Sequence, residues 1–135
     1  MTLVEVVLSL AIAAIAVAGI VSGYVCSAAS AQKWALSLAA NARAMERIEE
    51  VRCATWDTAK WPALDEVVPA NFPDEVVTLD RSGTGVTTVY GTNITTISQI
   101  SSYPPLKRIR VDCIWNFRGT VLCTNTIETC RAPDQ

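Results

Sequence analysis

Residues 1–30 read MTLVEVVLSLAIAAIAVAGIVSGYVCSAAS, and within them Glu5 is the only charge; the next charged residue is Lys33. About 20 apolar residues cross a bilayer, so this block has the length and character of a membrane helix. An isolated carboxylate moved into hydrocarbon costs several kcal/mol unless it is neutralised or paired. Three readings compete. A secretory signal needs a basic start and a short apolar core, whereas MTLVE is acidic and the apolar run is too long. A plain single-pass anchor accounts for the length. It lacks the lysines and arginines that usually orient a span, and it gives Glu5 no role. In the third reading a processing peptidase has removed a basic leader and left a free amine at Met1.

The order Met1-Thr2-Leu3-Val4-Glu5-Val6-Val7 followed by LSLAIAAIA resembles the mature N-terminus of type IV pilins and pseudopilins. The resemblance covers the first 30 or so residues closely and the remainder loosely, through a helix-then-sheet layout. It implies cleavage after a glycine by a prepilin peptidase, N-methylation of Met1, and pairing of Glu5 with a Met1 amine. The stretch VEVVLSLAIA is closer to minor pilins and pseudopilins than to major pilins. The proline common near position 22 of major pilins is missing, and Gly19 and Gly23 occupy that neighbourhood.

The charge pattern agrees with this resemblance. Residues 1 and 5 of a helix lie one turn apart on one face, and an α-amine with a pKa of about 8 is cationic at neutral pH. It can meet Glu5 of its own chain or of a neighbour, where the pair would set the axial register of packed helices. The plainer alternative is an acid favoured by the helix dipole. The resemblance further implies a filament core built from Leu3, Val6, Val7, Leu10, Ile12, Ile15, Val17, Ile20, Val21 and Tyr24. Its implied partners are copies of the chain, the prepilin peptidase, an inner-membrane platform protein and an assembly ATPase. Its implied location is the inner membrane first, then a periplasmic or extracellular filament.

Helical periodicity continues through SAQKWALSLAANARAMERIEEVR. Apolar residues at Trp34, Leu38, Ala42, Met45, Ile48 and then Val51 or Cys53 predict one face that packs on a sheet. A helix over about residues 2–54 would be about 80 Å long. Residues 55–74 carry Pro62, Pro69 and Pro73 and read as a loop, with Trp56, Trp61 and Phe72 expected to pin it to the domain. An exposed aromatic binding surface is the alternative for these three.

Strands are expected at 75–79, 85–100, 106–117 and 120–130, which are rich in Val, Ile, Thr and aromatics. Arg118-Gly119 predicts a two-residue hairpin turn. That register puts Ile109, Val111, Cys113, Trp115 and Phe117 on one face with Leu122 opposite Trp115. Arg108, Arg110, Asp112 and Asn116 take the other face, and Pro104-Pro105 separates two strands. The predicted architecture is α+β, a long helix packed on a small antiparallel sheet. It divides into 1–30 (anchor and filament core), 31–54 (amphipathic half), 55–74 (loop) and 75–135 (sheet).

Five cysteines without a CxxC pair or any histidine argue against structural zinc and for an oxidising compartment. Cys26, inside the apolar helix, is the natural free thiol. The expected bridge is Cys53–Cys113, which would close a long loop and contribute about 2–4 kcal/mol. Cys123 and Cys130 remain to pair, but seven residues along one straight strand is out of reach, so that bridge requires a break in the strand. Bridges between subunits and full reduction are the rival readings.

The sequence offers little for other classes of function. Eleven basic and 13 acidic residues give a net charge of −2, which provides no basic field for nucleic acid. No GxSxG, P-loop or HExxH motif is present, and no histidine serves as a base, so the chain reads as non-enzymatic and without a cofactor. Asp57, Asp65, Glu66, Asp74, Glu75 and Asp80 lack the spacing of a calcium loop and read as solvated surface. Asn93-Ile94-Thr95 matches a glycosylation sequon, which points to a surface position. The expected function is a structural subunit of a type IV pilus or pseudopilus. The alternatives are a minor priming or tip pilin, and a membrane-anchored binding domain that never polymerises.

Overall fold

The computed structural model describes residues 2–81 and 88–134. The protein has an α+β fold whose compact units are Met1–Ala35 and Leu36–Gln135. Helix α1 spans Leu3–Cys53. It is rich in alanine and leucine and free of proline, the composition that costs a helix least. Residues 2–35 supply the described structure of the first unit, and helix residues 36–53 belong to the second.

The sheet-facing stripe of α1 differs from the expected one. Leu36, Ala40, Ala44, Ile48 and Val51 are buried, whereas Trp34, Leu38, Ala42 and Met45 are exposed. Only Ile48 and Val51 belong to both sets. The physical reason is the close approach of helix and sheet. Ala40 and Ala44 are fully buried beside Val111, Cys113 and Trp115, and larger residues there would hold the two layers apart. Counting bulky apolar residues therefore selects the wrong face.

Strands β1 (Trp56–Asp57) and β2 (Leu64–Asp65) form a small antiparallel pair. A 3₁₀ turn at Pro69–Asn71 follows. Strands β3 (Glu75–Arg81), β4 (Thr88–Ser102), β5 (Pro105–Phe117) and β6 (Val121–Arg131) form an antiparallel sheet in sequence order. The expected start of a strand at 85–87 lies outside the described residues. Pro104 falls in the turn before β5, and Pro105 opens that strand. Gly91 lies in mid-strand for a steric reason: a Cβ there would stand 3.1 Å from Cys113 Sγ and 3.2 Å from Leu79 Cδ1.

The β5–β6 register is one residue away from the expected one. Arg118 and Gly119 have φ of 51° and 70°, and Thr120 N donates to Phe117 O at 3.2 Å, so the tight turn forms where predicted. The ladder, however, resumes with Phe117 opposite Val121 and Trp115 opposite Cys123. A slip of one residue exchanges the two faces of a strand. Leu122 consequently points away from the core, while Cys123 and Ile127 pack against it. The observed register places Ile127 inside and Glu128 outside; the other would bury the charge.

The loop after α1 is held by a second cluster of Val51, Trp56, Val67 and Ile109, with Phe72, Ala54 and Ile97 against it. Trp61 departs from expectation: it is 98% exposed and pins nothing. Lys107 is buried beneath the loop, where it donates to both carboxylate oxygens of Asp65 and to Val67 O, 4.7 Å above the Trp56 ring. Arg131 donates to Val51 O at 2.7 Å, satisfying a carbonyl that the helix end leaves open.

All five cysteines are free, so the expected bridges are not formed. Cys113 is buried beside Ala40 and Ala44, whereas the end of α1 packs at Ile109 through Val51. Four residues of strand, about 13 Å, separate those levels, and a disulfide needs its Cα atoms within about 7 Å. Cys53 is also exposed. Cys123 and Cys130 lie on the continuous strand β6, about 23 Å apart and on opposite faces.

Candidate assembly surface on the N-terminal helix

The helix begins at the residues that the sequence singled out. Glu5 N donates to Thr2 O at 3.0 Å, and Thr2 N donates to Glu5 Oε2 at 2.9 Å. This is one half of a capping box, in which the third helical residue reaches back to the N-cap amide. Thr2-Leu3-Val4-Glu5 carries the T-x-x-E signature of that motif. Ser9 Oγ donates to Glu5 O at 2.7 Å one turn on, so the next polar side chain after Glu5 is satisfied within the helix. Met1 lies outside the described residues, and with it the expected Met1–Glu5 pair.

Beyond the cap, Leu3, Val6, Val7, Leu10, Ile12, Ile15, Val17, Ile20, Val21 and Tyr24 are all exposed, from 46% at Val6 to 81% at Leu3. They surround the helix on every side. The helix is long and apolar enough to cross a membrane, and such a surface needs lipid or other apolar helices around it. Helix α1 runs unbroken through Gly19 and Gly23, and a Cβ at either would meet nothing within 4 Å.

In the second unit, three of the acids considered for calcium, Asp57, Asp65 and Glu66, have partners. Asp57 Oδ1 accepts from Ala59 N and Lys60 N, Asp65 pairs with Lys107, and Glu66 Oε2 accepts from Thr55 N. Among the described residues no group of three His, Cys, Asp or Glu is placed to hold a metal ion. The backbone N–H of Ala59 holds Asp57 below the usual carboxylate range. Asp134 is lowered first by the N–H of Trp56 and then by Arg131. Burial pushes the Cys113 thiol up, which makes it a poor nucleophile.

Two further residues join helix to sheet without having been foreseen. Asn125 accepts from Trp115 Nε1 at 2.8 Å and donates to Ser37 Oγ at 2.8 Å and Asn41 Oδ1 at 3.1 Å. A buried tryptophan needs an acceptor, but identifying Asn125 as that acceptor required the β5–β6 register. Asn93 is the second. It is 1% exposed and donates to Arg43 O, so the sequon does not mark a surface position.

Comparison with family models, curated proteins and solved structures finds no match to this chain.

Proposed function

We propose that this protein is a structural subunit of a type IV pilus or pseudopilus filament, anchored in the inner membrane before assembly and polymerising through its N-terminal helix. The observation that carries the reading is an apolar helix exposed on every side whose one acid sits in its first turn. Glu5 uses Oε2 for its own Thr2 N–H, and a carboxylate has capacity for further donors. Pairing with the amine of a neighbouring Met1 is therefore compatible with the cap. Leaving lipid for a helix bundle exchanges one apolar environment for another. Packing and polar pairs, more than hydrophobicity, then drive association, and a carboxylate–amine pair in low dielectric becomes a strong selector of register.

The sheet unit would face solvent, and the subunit would be non-enzymatic. With the cysteines free, the location rests on the helix and not on disulfides.

The test is Glu5→Ala and Glu5→Gln in the producing cell, with filaments counted by electron microscopy and sheared fractions. Loss of filaments with normal membrane-bound subunit is expected for both. Normal filaments from Glu5→Ala would remove the basis of the proposal and favour a non-polymerising anchored domain.

A further inference from the structure

Asn93 lies in the middle of β4 with its side chain turned toward α1. Its Nδ2 donates to Arg43 O at 3.3 Å, while its Oδ1 is buried without a donor. Leaving a buried acceptor unsatisfied costs about 1–3 kcal/mol, so the amide calls for a partner. Rotating it by a half-turn gives no relief, because Asn93 Oδ1 would then oppose Arg43 O, acceptor against acceptor.

Asn93 forms part of the wall of a cavity of about 60 Å³, together with Arg43, Glu46, Arg47, Glu50, Glu75 and Val77. Both arginines on that wall are held by other acceptors, and neither donates to Asn93 Oδ1. Arg43 pairs with Glu46 at 2.7 Å and donates to Thr78 O at 3.4 Å. Arg47 pairs with Glu50 at 2.7 Å and Glu75 at 3.7 Å, and donates to Thr95 Oγ1 and Pro73 O. Asn93 Oδ1 is thus left without a donor, and an occupant that satisfies it must be small and donate a hydrogen bond. One water needs about 10–15 Å³ of such space and takes about 30 Å³ in the liquid. No three acidic side chains there are disposed to hold a metal ion.

We propose that this cavity is a hydration site that holds ordered water between α1, β3 and β4, one molecule donating to Asn93 Oδ1. The water completes the only amide oxygen that the helix–sheet junction leaves open among the described residues, and it gives Asn93 a structural role in place of glycan attachment.

The test uses the full chain, ¹⁵N-labelled, in detergent micelles, with water-to-protein NOE and ROE measured at the Asn93 side-chain amide and at Arg47 Nε–H. Long-lived water gives cross-peaks of opposite sign, whereas passing hydration gives the same sign. Opposite signs at the Asn93 amide are expected, lost at Arg47 Nε–H in Asn93→Val and unchanged between sodium and potassium buffers. Same-sign peaks in the wild type would overturn the proposal. So would a signal that survives Asn93→Val, or one that follows the cation and thereby identifies a bound ion. If Asn93→Val does not fold, the wild-type signs decide alone.

Discussion

Two leucines on α1, two residues apart, offer a direct test of which face meets the sheet. Leu36 is 4% exposed and packs in the cluster of Ala40, Ala44, Val111 and Trp115; Leu38 is 69% exposed. Truncating a buried leucine to alanine removes its transfer energy and leaves a cavity, at a cost of about 2–5 kcal/mol. Leu36 is at the end of its cluster, where relaxation is easiest, so Leu36→Ala should cost about 3 kcal/mol. That is more than a hundredfold in the unfolding equilibrium. Leu38→Ala removes the same atoms from an exposed position and should stay within about 0.5 kcal/mol. The assay is urea unfolding of the full chain in mild detergent, followed by tryptophan fluorescence, with Trp56 and Trp115 as buried reporters. With a urea m-value of about 1.5 kcal/mol/M, the Leu36 variant should lose about 2 M in midpoint and the Leu38 variant almost nothing. Equal losses, or a larger loss for Leu38→Ala, would refute the stripe of Leu36, Ala40, Ala44 and Ile48 and restore the phase predicted from bulky residues.

Acid should loosen the loop after α1 at its carboxylates. Backbone N–H groups hold Asp57 and Asp134 below the ordinary carboxylate range, so each contributes stability that is present above the unfolded pKa and lost as pH falls through the folded one. Asp134→Asn should flatten the acid limb of a stability–pH curve, and an unchanged limb would contradict the assignment. Lys107→Ala removes charged hydrogen bonds to Asp65 and Val67 O and should lower stability by about 2 kcal/mol in the same urea assay; no change would mean that the clamp is not formed. Native alkylation followed by mass spectrometry should label Cys53 and Cys130 and spare Cys113 until the protein unfolds, given their exposure. Cysteines that label only after reduction would bring back the disulfide pairs.

Much of the architecture was readable residue by residue. The apolar character of residues 1–30, the extension of the helix to Cys53, the strands about Ile97, Val111 and Ile127, and the turn at Arg118-Gly119 all follow from local patterns. Periodicity, β-branched content and left-handed backbone preference act within a few residues and need no distant partner. The cap made by Thr2 and Glu5 was equally legible from its T-x-x-E spacing.

Only the tertiary structure decided which faces meet. Helix residues 34–53 present two apolar stripes, and the sheet takes the one with Ala40 and Ala44 because small side chains let the two layers touch. Strand β6 offers two registers, and the core takes the one that brings in Ile127 and leaves Glu128 outside. Cys53 and Cys113 are compatible as a pair until the helix is laid on the sheet, when Val51 comes to Ile109 and the two sulfurs fall on different levels. Asn93 reads as a surface sequon until its strand is covered by α1. In each case the alternatives have nearly equal local energies. The choice comes from contacts between elements distant in sequence, whose shapes exist only once both have formed.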